Sequence, residues 1–230
     1  MPTRRDFLGR STVGAALIGS WSLPLDLLAA PSSPASTPGA DDASADEAWD
    51  TRWPSRITGK HKALFDVAEI ESGYGVWRAS AWVSQYQQVL KIAPADLSPV
   101  VVIRHNAIIL AMKQGFWDRY GIGKSKGVTH PLTGEPVSKN PVLLDEKDGI
   151  PAPFNQAGLH KQLGRGVTVL ACNLALQDMV DLVKAADKSS DEAARKVALD
   201  ALVPGVILQP SGVFAVIRAQ EAGCAYIKAS

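Results

Sequence analysis

The chain is poor in cysteine and histidine, with two of the first and four of the second in 230 residues. Cys172 and Cys224 allow at most one bridge, which excludes a disulfide-stapled scaffold. His61, His105, His130 and His160 are scattered and, taken with Cys172, show no short ligand spacing, so no metal site is expected. No C-x-x-C-H stretch occurs, which excludes covalent haem. G-x-G-x-x-G, the P-loop and G-x-S-x-G are all missing, and no cofactor is expected. Charge of one sign is missing too. The formal net charge is +1, and residues 1–30, with three arginines and two aspartates, account for it: 21 basic and 21 acidic residues follow. That balance argues against a nucleic-acid partner held by phosphate attraction. No internal repeat is evident. The apolar stretch Val13–Leu28 is short for a membrane span and is interrupted by Gly14, Gly19 and Pro24.

What is present begins with Arg4-Arg5-Asp6-Phe7-Leu8 ahead of that stretch. Paired arginines, a following Phe-Leu and modest hydrophobicity resemble a bacterial twin-arginine export signal over residues 1–30. The implied partner during export is the Tat translocase, and the implied destination is the periplasm, with anchoring if the signal is not cleaved. Pro31 to Ala48 is rich in Ala, Ser, Pro and Asp and reads as a disordered linker. Trp49 and Trp53 are expected to clamp the following segment onto a domain surface. The linker is taken to residue 58 and the domain as 59–230.

Within that domain, short β-branched apolar runs alternate with helical patterns. Strands are expected at 61–70, 99–104, 166–171, 206–209 and 224–228, and helices at 77–92, 107–120, 155–163, 173–185, 192–202 and 213–222. Ser189-Ser190-Asp191 and Gly223 are capping signals. Residues 121–156 hold five prolines and form a long irregular insertion, expected to be a lid, an assembly surface or a mobile loop. The alternation implies an α/β fold of three layers, α/β/α, around a mostly parallel five-stranded sheet.

Such sheets place their sites beyond the carboxyl ends of the strands. The expected constellation is Tyr74 after strand one, Arg104, His105 and Asn106 after strand two, Cys172 and Asn173 after strand three, and Ser211 and Gly212 after strand four. Cys172 is the candidate catalytic residue. It sits in a strand-to-helix turn, with Asn173 as the expected helix cap. The positive end of a helix dipole favours the thiolate, the nucleophilic form of cysteine. Arg104 suits an anion, and His105 suits a base or hydrogen-bond donor. Cys224, at the start of a buried strand, reads as core, and both thiols are expected to be free.

Two segments resemble the DsrE/DsrF-like family. VTVLACNLAL resembles its cysteine-bearing strand and turn. The C-terminal run resembles that of exported members through Pro204-Gly205-Val206, Pro210-Ser211-Gly212-Val213, Arg218-x-Gln220-x-x-Gly223 and Ala225-Tyr226-Ile227-Lys228. The resemblance spans about residues 60–229. It implies a homo-oligomer that carries sulfur as a persulfide on the residue matching Cys172, with a small sulfur donor or a protein as partner. The alternative is a non-catalytic binding or assembly module of the same fold.

Overall fold

The computed structural model describes residues 49–230. The expected export signal and the linker to Ala48 lie outside the described residues. Among the described residues, no helix is long and apolar enough to cross a membrane.

Five strands form one sheet: β1 (His61–Val67), β2 (Leu97–Ile103), β3 (Thr168–Cys172), β4 (Ile207–Gln209) and β5 (Ala225–Lys228). Their spatial order is β4-β3-β2-β1-β5, and every pairing is parallel. The helices are α1 (Tyr74–Val89), α2 (Gln114–Tyr120), α3 (Ile122–Ser125), α4 (Leu159–Gly164), α5 (Asn173–Asp187), α6 (Asp191–Asp200) and α7 (Gly212–Glu221). From β1 to β4 each crossover steps the same way, and right-handed crossovers then put their helices on one face. The step from β4 back to β5 reverses direction, so α7 lands on the other face.

Alternation along the strands separates two cores. Phe65, Val67, Val101, Ile103, Val169 and Ala171 pack with α1, α2, α5 and α6. Leu64, Val100, Val102 and Leu170 pack with Ala215 and Ala219 of α7. The fold is a three-layer α/β/α sandwich whose second helical layer is thin. Trp53 completes that layer. It is fully buried, and its indole N–H donates to Gln209 Oε1 at 2.9 Å. Gln209 Nε2 in turn donates to Asp50 O at 3.0 Å. The segment before residue 59 is therefore part of the packed core at this point, rather than only a clamp on its surface.

The expected helix over 107–120 is instead a 3-10 segment, His105–Ala111, then an extended break at Met112–Lys113, then α2. Tertiary bonds override the helical pattern here. Lys113 N–H donates to Ala201 O, and Ala111 O accepts from Val203 N–H. The fully buried Asn140 donates through Nδ2 to Leu110 O at 3.0 Å and to Met112 O at 2.9 Å. Asn140 belongs to the long insertion, which is packed. Val128, Val142, Leu144 and Ile150 are buried, and Thr129 and Pro136 form an antiparallel bridge. Asn140→Ala leaves these carbonyls and the Val142 N–H without their partner and is expected to cost about 1–3 kcal/mol. Chemical denaturation measures it, and an unchanged midpoint would mean that water fills the place.

Candidate functional site

The carboxyl ends of the strands meet at a cleft of about 280 Å³, below the roughly 300–1,000 Å³ of pockets for drug-sized ligands. Its lining includes Arg104, His105, Cys172, Ser211 and Gly212 from the expected constellation, together with Leu174, Ala175, Asp178 and Val213.

Cys172 is the last residue of β3 and itself caps α5. Its backbone is extended, with φ −82° and ψ 118°, and its Sγ accepts the Ala175 N–H at 3.4 Å. A small side chain ending in an acceptor is what an N-cap requires. Asn173, expected in that role, is the first helical residue, and its Oδ1 accepts from Arg195 Nη2 at 3.1 Å. Cys172 is 6 % exposed, so its sulfur meets solvent only through the cleft.

Arg104 follows β2 and is held from behind. Its Nε donates to Asp66 Oδ1 at 2.7 Å and its Nη2 to Asp66 Oδ2 at 2.8 Å. Tyr226 of β5 donates its hydroxyl to the same Oδ2 at 2.8 Å. Asp66 is 3 % exposed. Burial pushes its carboxyl up, but hydrogen bonds from Arg104 and Tyr226, with the charges of Arg104 and Lys228, outweigh this and hold it below its ordinary value. Donating to Asp66 raises Arg104 above its ordinary value against the effect of burial, helped by the charge of Asp66 and to a smaller extent by Tyr226 and Cys172. The Nη1 group stands outside this bidentate pair and remains for a ligand.

The β4–α7 turn closes the cleft. Ser211 caps α7, its Oγ accepting the Phe214 N–H at 3.0 Å. Gly212 lies flat against the arginine stem: a Cβ there would sit 2.5 Å from Arg104 Cδ and 2.6 Å from Arg104 Cβ. Glycine is required for this approach. Gly212→Ala is expected to displace the guanidinium and slow any chemistry that depends on it by about ten- to a hundredfold. Kinetics beside a thermal melt separate displacement from unfolding; a wild-type rate would show that the arginine position does not matter.

His105 adopts φ +51° and is mostly exposed. Its Nδ1 accepts the Asn106 N–H at 2.8 Å, which assigns the proton of the neutral ring to Nε2. The hydrogen bonds here do not join His105 to Cys172. Asn106 turns away from the cleft, donating through Nδ2 to Glu69 Oε2 at 2.8 Å. Tyr74 is placed elsewhere. It lines a separate groove with Trp77 and Phe154 and donates its hydroxyl to Pro131 O of the insertion.

Of the groups that sequence reasoning passed over, Asp66 had a signal: a carboxylate within the apolar run LFDVA. Tyr226 and Asp178 had none at the level of pattern. Cys224 precedes β5, at the far end of the sheet from Cys172. It is buried among the residues under α7, and burial pushes its thiol up. Both thiols are free. Among the described residues, no group of three or more His, Cys, Asp or Glu side chains is placed to hold a metal ion. Comparison with known proteins finds no matching family and no matching curated protein.

Proposed function

We propose that this chain is an exported, periplasmic sulfur-handling protein of DsrE-like type, in which Cys172 takes up a sulfane sulfur as a persulfide. The observation that carries the reading is the placement of Cys172 Sγ. It caps α5, accepts a helix amide and faces a small cleft that Arg104 also lines. The Cys172 thiolate attacks the outer sulfur of the donor. The donor's sulfur–sulfur bond breaks, and its inner sulfur leaves with the electron pair. The α5 amides and the Arg104 charge stabilise the negative charge that develops. Arg104 Nη1 orients an anionic part of the donor, and Ser211 and Gly212 shape the opposite wall.

The test is loading of the purified chain, in a Cys224→Ser background, with a sulfane-sulfur donor. Mass spectrometry is expected to show one added sulfur atom per chain, located on Cys172 and removed by a reducing thiol. A chain that gains no sulfur under any donor would falsify the reading. A second reading, a non-catalytic docking module, is favoured by the apolar rim of the cleft, where Leu174 and Val213 are 69 % and 68 % exposed. It predicts an inert thiol and a partner lost on Leu174→Asp.

A further inference from the structure

Asp178 has no part in the chemistry above, yet it lines the same cleft. It shares a face of α5 with Leu174 and Ala175, because positions three and four apart on a helix are neighbours. Six residues beyond Cys172, it stands roughly 9 Å further along the helix axis. It is exposed and forms no ion pair among the described residues. The charge of Arg104 is already matched from behind by Asp66. The cleft thus offers a guanidinium with a spare donor group near the thiol and an unmatched carboxylate one helical stretch away. An inorganic dianion such as thiosulfate can use the first of these and is repelled by the second.

We propose that the donor is a small zwitterionic hydropersulfide, of an amino acid or short peptide. Its carboxylate meets Arg104, its ammonium meets Asp178, and its outer sulfur meets Cys172. This rests on the sulfur-transfer reading. In the step, the Cys172 thiolate bonds to the outer sulfur of R–S–SH and the sulfur–sulfur bond of the donor breaks. Cys172 then carries –S–SH, and RS⁻ departs with the electron pair, so atoms and charge balance without any added oxidant or reductant. Asp178 is a specificity-determining residue here. The size of the cleft fits a ligand of this class.

The experiment compares second-order loading rates of the full chain, as Cys224→Ser, with cysteine hydropersulfide, 3-mercaptopropionate hydropersulfide and thiosulfate. The first two share a carboxylate and differ in the ammonium. Cysteine hydropersulfide is expected to load about two- to fivefold faster than its amine-free analogue, the range for a partly exposed ion pair. Asp178→Asn brings that ratio close to one. Asp178→Lys inverts it and speeds loading by thiosulfate. Equal rates in the unsubstituted chain, or a preference that survives Asp178→Asn, overturn the proposal and leave sulfur transfer at Cys172 standing. Loading by none of the three donors overturns both.

Discussion

Cys172→Ser is expected to remove the proposed sulfur loading entirely while changing stability by less than about 1 kcal/mol. The two halves of this result have separate causes. Loading is lost because an alcohol at neutral pH lacks the thiolate that attacks sulfur. Stability is kept because Cys172 is the cap of α5 and serine is among the best capping residues. Its hydroxyl takes over the Ala175 N–H, and the two side chains are close in size. Cys172→Ala removes nucleophile and cap together and is expected to cost about 1 kcal/mol more. Intact-mass analysis and thermal melts on the three proteins measure both effects. Sulfur retained by the serine variant would move the chemistry to another group. Serine melting as low as alanine would show that the cap carries no weight.

Arg104→Met destabilises the domain by roughly 3–5 kcal/mol, the range for removing one partner of a buried ion pair. The loss is not the worth of the pair itself. Arg104 is about a third exposed, so solvent weakens its attraction, whereas Asp66 is almost wholly buried and is left with Tyr226 as its side-chain donor. Most of the cost is a stranded carboxylate, so Asp66→Asn in the same chain is expected to recover much of it. The pH dependence follows from the lowered Asp66 value. A carboxyl held below its ordinary value contributes stability that is full above about pH 4 and is lost as pH falls through the lower folded value. Without Arg104, burial acts largely unopposed and the carboxyl protonates at higher pH. The deficit of Arg104→Met is therefore largest near neutral pH and shrinks as pH falls through the variant's raised carboxyl value and on towards the lowered value of the unsubstituted chain. Denaturant titrations of both proteins at pH 7 and pH 4 check this. A deficit independent of pH would assign the loss to packing of the arginine stem against Gly212.

The sheet was legible because its strands carry the simplest signal in a sequence. Val100–Ile103 and Thr168–Ala171 are β-branched runs between polar turns, buried on both sides. From their alternation with helices, the parallel order and the active edge followed. Cys172, Arg104, His105, Ser211 and Gly212 converge for that reason. Local pattern failed where distant groups decide. Met112–Lys113 departs from its helical periodicity because Ala201 and Asn140 take its hydrogen bonds and Val203 takes that of the adjacent Ala111. The place of Tyr74 after β1 predicts the cleft, but its hydroxyl is taken by Pro131, a residue of the distant insertion. Asp66 and Tyr226 are far apart in sequence, and nothing in either neighbourhood announces the bond between them. Trp53 read as a surface clamp because its partner, Gln209, lies on β4.

The bond from Tyr226 to Asp66 also ties the cleft to one margin of the sheet. Strands β2 to β4 each join the strand just before them in the chain, whereas β5 returns to β1, and Tyr226 reaches Asp66 across 160 residues. β5 is a four-residue strand with a single paired neighbour and, like the three-residue β4 at the opposite edge, opens more readily than the central strands. The guanidinium in the cleft is therefore braced by a strand at the margin of the sheet, and any loosening of that margin reaches the cleft through Asp66.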